Sequence, residues 1–397
     1  MLIKTSSNID KLILNLALKN KPLKQFDNLV VQFLEEFHAH LDILAKKTHL
    51  EDLIAFSFWL RPKNIKNLKL KYQDGSTRIG YGIAFHITPS NMPINFIYSY
   101  VFSLLAGNIN IIRVPSKNYI QIDFLMEALN KVFKKKKYKK IKDMSHFINY
   151  DKTKKYTMDF SSVCDLRIVW GGDSTINEIR KIPIRSNSKE MVFSDKYSVS
   201  LINSDQVLKS SKLELIRLAK AFFNDGYLVD QNACSSPHLI FWIGKNKNST
   251  LVKFWNEVEK FASTKYDLPQ IGAIDKFNSL CNDLLSHEIK NNIERKNNYL
   301  HHLMLNKIPN DITTLRGRWG YFYEYKIEKI ENLTKLVDKK FQTISYFGVN
   351  KGDIINSLID HNCLGVDRVV PIGRAHAMDN IWDGYDIINS MSRIISV

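Results

Sequence analysis

Short apolar runs that read as strands alternate with runs of helical periodicity along most of this chain, and that alternation limits its fold more than any other feature. Tyr81 to Ile87, Ile109 to Val114, Leu166 to Trp170, Tyr197 to Ile202 and Leu239 to Ile243 are the strand-like runs. Strand, helix, strand repetition needs crossover connections, and these produce a parallel α/β sheet. Ahead of them, Ile9 to Leu60 is helical in pattern, with Leu29, Val30, Phe33, Phe37 and Leu41 spaced three and four apart. No internal repeat, low-complexity linker or Pro/Gly-rich hinge marks a boundary. With 397 residues and 44% hydrophobic content, the chain can bury a large core in more than one lobe.

Charge and cysteine usage remove several classes. The net charge of +17 and the block Lys134 to Lys140 raise a nucleic-acid hypothesis. Lysine, asparagine and isoleucine are abundant throughout, however, which reads as a chain-wide bias rather than a basic face with interleaved aromatics; no nucleic-acid partner is expected. The four cysteines, Cys164, Cys234, Cys281 and Cys363, are far apart and form no zinc-ligand spacing, so neither a disulfide framework nor a metal site is expected. Met1 to Lys11 lacks the continuous apolar segment of a secretory signal, and a reducing cytoplasm is the expected compartment. Ile94 to Ile109 is uncharged and apolar but too short to span a bilayer; it reads as a core helix ending at Gly107, with no integral membrane segment expected.

Three segments carry candidate chemistry. Cys234 sits in Asp230-Gln-Asn-Ala-Cys-Ser-Ser-Pro237, between the helix-like run Leu213 to Phe223 and the strand-like run at Leu239. Small neighbours Ala233, Ser235 and Ser236 leave room for a substrate carbonyl, and a thiolate there would be a nucleophile; a buried structural thiol is the alternative. His86-Ile-Thr-Pro-Ser-Asn-Met-Pro93 places Asn91 where a strand turns into a helix, either as a cap or as an amide donor to an oxyanion. At Gly171-Gly172-Asp173, glycines before a helix suit close approach to a phosphate, although such a turn is also common in loops.

Six ordered blocks give the chain a resemblance to the LuxC-type acyl-CoA reductases, a branch of the aldehyde dehydrogenase superfamily. They are His86 to Pro93; Leu105-Ala-Gly-Asn108 with Ile112-Arg113; Trp170-Gly-Gly172; Asp230 to Pro237; Phe341-Gln-Thr343; and Val370-Pro-Ile-Gly373 with Trp382-Asp-Gly384. The match runs from about Ile79 to the C-terminus. It implies an aldehyde dehydrogenase-like α/β fold: a helical layer at residues 1–78, a Rossmann-type nucleotide-binding lobe at 79–196, a catalytic α/β lobe at 197–366, and a tail at 367–397 that returns to the first lobe or to a subunit interface.

The resemblance also implies a reaction. Cys234 attacks an acyl thioester, CoA leaves, and a nicotinamide reduces the acyl-enzyme to the aldehyde, with Asn91 and the Cys234 backbone N–H holding the oxyanion. Gln231 supports the turn. Many NAD-linked members read Lys-Pro-Ser-Glu after the second strand; this chain reads Val114-Pro115-Ser116-Lys117. A base in place of the acid, with Arg113 nearby, favours the 2′-phosphate of NADPH. Hydrolytic members carry a glutamate at a position that aligns with Val192, with Glu190 and Asp195 close by, so hydrolysis of the acyl-enzyme is expected to be slow. His86 and His238 flank the motifs, either as cationic neighbours of the thiol or as hydrogen-bonded structural residues; His376 lies in the tail and is given no catalytic role.

A homo-oligomer and an acyl-CoA or acyl-protein donor, with an acyl-protein synthetase as a partner, complete what the resemblance implies. Two other classes remain open: a nicotinamide-independent acyltransferase or thioesterase that uses the same Cys234, and a basic nucleic-acid or membrane-binding protein on an enzyme scaffold.

Overall fold

The computed structural model describes residues 2–3, 9–10, 12, 21–73, 75–89, 92–150, 154–245, 248–290 and 297–396. The chain forms two compact units, Met1–Ser194 together with Asn380–Val397, and Asp195–Asp379.

The first unit is built on a six-stranded sheet in the order β1 (Leu2–Ile3), β5 (Ser145–Ile148), β4 (Ile109–Arg113), β3 (Ile83–Ile87), β6 (Leu166–Trp170), β7 (Lys189–Phe193), and every pairing in it is parallel. From β3 the chain winds outward through β4 and β5, then returns to the other side for β6 and β7. The order therefore reverses between β3 and β6, a topological switch point, and in open α/β sheets the ligand crevice lies outside the carboxyl ends of the strands there. A separate antiparallel ribbon joins β2 (Thr77–Gly80) to the strand Ser392–Ile395 near the C-terminus.

Helix Asn95–Ala106 connects β3 to β4 and is buried on every side, as its uncharged, largely apolar sequence predicts. It stops at Gly107, whose φ of 98° no β-carbon tolerates easily; a Cβ there would also stand 2.0 Å from the Leu23 carbonyl oxygen. Helix Asn28–Thr48 presents Val30, Phe33, Leu34, Phe37, Leu41 and Ala45 inward, and Phe33 stacks on Phe133 of helix Ile120–Phe133 at 5.3 Å. The basic run folds onto that helix too. Lys135 and Lys137 pair with Glu36, and buried Tyr138 donates to it at 2.9 Å. Burial opposes the charge, yet these hydrogen bonds hold the Glu36 carboxyl down at about 2. Part of the block is thus a neutralised packing surface.

In the second unit another six-stranded parallel sheet runs β10 (His301–Met304), β11 (Tyr321–Lys326), β9 (Pro237–Ile243), β8 (Tyr197–Asn203), β12 (Phe341–Phe347), β13 (Arg368–Pro371). Successive residues of β9 serve opposite faces. Ile240 and Trp242 join Phe222, Phe254 and Phe322 on one side, while Leu239 and Phe241 join Val199, Tyr321 and Phe341 on the other. Burial of both faces is what a parallel sheet with crossover helices requires, and it removes the polar alternation of a half-exposed strand. Among the described residues, no helix is long and apolar enough to cross a membrane.

Candidate active site

Helix Lys212–Gly226 starts in a capping box between Ser211 and Glu214 and delivers the chain to the turn that holds Cys234. Asp230 and Gln231 both take positive φ, 55° and 61°, which folds the chain sharply before β9. Gln231, fully buried, keeps it folded. Its amide donates to the carbonyls of Pro237 at 3.1 Å and Tyr321 at 2.9 Å, and its carbonyl oxygen accepts the Tyr321 N–H at 3.1 Å. Asp230 accepts a hydrogen bond from the Tyr266 hydroxyl at 2.7 Å. The Ser198 hydroxyl donates to the Cys234 carbonyl at 2.6 Å and ties the turn to β8.

Cys234 is half-buried at the amino-terminal edge of this sheet, three residues before β9. Its thiol faces Asp195, with Sγ 3.9 Å from Oδ1. Of the carboxylates near the aligned general-base position, Asp195 is therefore the one that meets the sulfur. Glu190 lies on β7, bonded by Arg167 Nη2 at 2.5 Å and by Arg180 Nε at 3.1 Å. Val192 sits on the same strand in register with Val169. Arg316 completes the local set, holding Asp195 through Nη1–Oδ1 at 3.0 Å and Nη2–Oδ2 at 2.8 Å. Nothing in the spacing of Arg316, more than eighty residues beyond Cys234 in the chain, marks it beforehand.

The histidines divide cleanly. His238 is buried and stacks on Tyr197 with centroids 5.5 Å apart, and burial pushes it down to about 3. His86 is buried too. It bonds Ser99 Oγ at 2.8 Å and Asn110 Oδ1 at 3.1 Å, Trp170 Nε1 donates to the same Ser99 hydroxyl at 3.1 Å, and burial again sets the imidazole at about 3. Both rings are neutral near pH 7, so neither acts as a cationic neighbour of a thiol; His86 instead rivets β3, β4, β6 and helix Asn95–Ala106 together. His376 has a role the sequence did not disclose: Nδ1 meets Ser235 Oγ at 2.8 Å and Nε2 meets Ser236 Oγ at 3.5 Å, clamping the two residues that follow the cysteine.

At the carboxyl edge of the first sheet, the remaining candidates lie on either side of β3. Arg113 ends β4 half-buried, its guanidinium 4.8 Å from the Tyr150 ring centroid, and its carbonyl accepts the Thr88 hydroxyl at 2.7 Å. Ser116 and Lys117 follow in an exposed loop, with Lys117 Nζ 5.3 Å from the Tyr119 ring centroid. Across β3, Gly171 and Gly172 lead from β6 into helix Asp173–Arg180. Gly172 is its N-cap with no side-chain cap, and a Cβ there would meet nothing within 4 Å. Asp173 adds a negative charge to that first turn. Trp170 stacks on Phe193 at 3.6 Å, closing the neighbouring side. Asn91 lies outside the described residues.

Two doubly wound parallel sheets in separate units, one with a nucleotide-type switch point and one bearing a half-buried cysteine on a turn, define an enzyme of the aldehyde dehydrogenase fold. Solved structures agree. A lactaldehyde dehydrogenase superimposes with a TM-score of 0.63 at 11% identity, over 98% of this chain and 89% of that one. The NADP-dependent glyceraldehyde-3-phosphate dehydrogenase of Bacillus halodurans C-125, solved with NADP, gives 0.64 at 12% identity, over 98% and 90%. Proline utilization A from Corynebacterium freiburgense gives 0.68 at 12% identity, over 100% of this chain and 44% of that one. No curated protein sequence matches the chain. The model of the acyl-CoA reductase (LuxC) family matches residues 11–270, and the chain belongs to that family. It is an enzyme of acyl and aldehyde redox chemistry.

Proposed function

We propose that this protein reduces a long-chain fatty acyl-CoA, or an acyl group carried as a thioester on a partner protein, to the aldehyde with NADPH through an acyl-Cys234 intermediate. The observation that carries the reading is the Cys234 thiol itself, half-buried on a turn locked by Gln231 and faced by a carboxylate. Attack by Sγ on the thioester carbonyl produces an oxyanion, for which the Cys234 backbone N–H and the Asn91 amide are the assigned donors. Removal of one such donor typically slows a reaction on the order of 10²-fold to 10³-fold.

NADPH fits the first unit. Its pyrophosphate suits the open approach at Gly171 and Gly172, and Arg113, Ser116 and Lys117 supply cationic and hydroxyl groups for a 2′-phosphate, although Asp173 works against an anion at that helix start. When bound, the nicotinamide supplies the hydride. The protein's part is to keep the acyl group on sulfur until then. Val192, where hydrolytic relatives place a glutamate, takes no proton, and both oxygens of Asp195 are engaged by Arg316. A homo-oligomer, and an acyl-protein synthetase as donor, belong to the same proposal.

Intact-protein mass after mixing with tetradecanoyl-CoA tests this, with and without NADPH and beside Cys234→Ala. An acyl adduct that requires Cys234 and is lost with NADPH as aldehyde appears is the expected result. Rapid acyl-CoA hydrolysis that depends on Cys234 but not on nicotinamide would replace the reductase with a thioesterase.

A further inference from the structure

Asp195 opens the second unit, two residues before β8, and its carboxylate is held more firmly than a surface loop would hold it. Both oxygens are bonded by Arg316, and the guanidinium is itself fixed: Nε donates to the Thr313 carbonyl at 3.2 Å, Nη2 to the Lys196 carbonyl at 3.1 Å, and the carbon of the fork lies 5.7 Å from the Tyr197 ring centroid. A paired arginine and carboxylate in this fork geometry is aligned in direction as well as in charge. Cys234 Sγ then has an acceptor fixed at 3.9 Å. A carboxylate beside a sulfur opposes the thiolate and a guanidinium favours it, so the bonded pair acts on the sulfur with opposite signs.

We propose that Asp195 is a catalytic residue that holds the Cys234 proton and relays it to the departing thiolate, and that Arg316 is the positioning residue that aligns and balances it. The relay rests on the thioester reading above, whereas the hold on the proton does not. In the step, the Sγ–H proton passes to Asp195 Oδ1 as Sγ bonds to the thioester carbonyl carbon. The bond from that carbon to the donor sulfur breaks, and the donor thiolate takes the proton from Asp195. An acyl thioester and a cysteine thiol thus become an acyl-cysteine and a free thiol, with no change of oxidation state. Because the two thiols are of similar acidity, moving the proton from one sulfur to the other costs little overall. Water is a far weaker acid, so the same carboxylate does little for hydrolysis.

Among the described residues of the unit, several other ionisable and charged groups around this turn have bonds of their own. His376 bonds Ser235 and Ser236; His238 is buried and neutral, its charged form further disfavoured by Arg316 and Arg318; Asp230 accepts the Tyr266 hydroxyl; and Lys196 donates to the Lys339 carbonyl at 2.9 Å with Asp367 at 3.6 Å.

The test is the pH dependence of Cys234 alkylation by iodoacetamide, resolved from the other cysteines by peptide mass, in wild type, Asp195→Asn, Arg316→Gln and Arg316→Lys. Asp195→Asn leaves a cation near the sulfur, so the midpoint should fall by about one pH unit or more; Arg316→Gln leaves an anion, and it should rise by as much. Arg316→Lys keeps the charge and should return the midpoint toward wild type, which separates this effect from loss of fold. Acylation by tetradecanoyl-CoA should slow on the order of 10²-fold in Asp195→Asn although more thiolate is present. Midpoints that stay put, or that move together, overturn the proposal. Unchanged acylation in Asp195→Asn removes the relay. A wild-type protein that takes no acyl group, yet shows the opposed midpoint shifts, retains the Asp195–Arg316 hold on Cys234 and loses the thioester reading instead.

Discussion

Single residues decide how the nucleophile and the cofactor end are presented. Gln231 bonds two carbonyls and one N–H with one side chain, so Gln231→Leu removes three hydrogen bonds from a buried turn. Unfolding by urea should show a loss of at least about 3 kcal/mol, with Cys234 acylation slowed as well. The glutamine was readable as support for the turn; its partners were not, because Tyr321 is ninety residues away in the chain. Lys117 is the complementary case. It is exposed in the loop after β4, so Lys117→Glu should leave stability unchanged while the ratio of catalytic efficiencies moves from NADPH toward NADH. An unaltered ratio would mean that Lys117 is simply solvated.

At the scale of elements, legibility followed burial. The runs at Ile109, Leu166, Tyr197 and Leu239 became β4, β6, β8 and β9 within a residue or two, because strands covered on both faces are nearly continuous in apolar residues. The interior strands β11 and β12 escaped notice as well, and so did edge strands of mixed composition. The β7 sequence Lys189-Glu-Met-Val-Phe193 is at a sheet edge with a charged start, and β10 begins His301-His302 at the edge of the other sheet. Their pairing is dictated by neighbours rather than by local pattern. A further joint between elements is Asp225, at the end of helix Lys212–Gly226, which accepts the backbone N–H groups of Gly373 at 2.6 Å and Ala375 at 2.9 Å. Asp225→Ala should cost on the order of 2 kcal/mol and should loosen the backbone around the exposed Arg374 enough for trypsin to cut there under native conditions. Protection equal to wild type would show that the segment is held by other contacts.

For the whole molecule, buried imidazoles set the acid limit. His86 and His238 are held at about 3, and His146 and His376 at about 4, each chiefly by burial, against an ordinary value near 6.5. As pH falls below 6.5 the unfolded chain binds protons that the folded chain refuses, so stability is full above 6.5 and declines down to the folded values. Asp225, raised to about 7 by burial, opposes this with one proton between about 7 and its unfolded value of 3.8. Asp52, Asp230 and Asp367, also raised by burial, act in the same sense by smaller shifts, and the four strongly shifted imidazoles set the sign. Urea midpoints should therefore drop between pH 6.5 and about 5, above the range in which ordinary carboxylates titrate; a flat profile there would contradict neutral desolvated rings.

By itself the sequence determined the α/β class, the order of its elements, the family blocks and the candidate cysteine, because each depends on residues adjacent in the chain or repeated at a helical or strand period. Tertiary structure decided which carboxylate meets the sulfur, the arginine that balances it and the histidine that clamps the turn. It also decided that His86 and His238 are neutral. Those outcomes arise from distances and desolvation between residues far apart in sequence, and no local pattern encodes either.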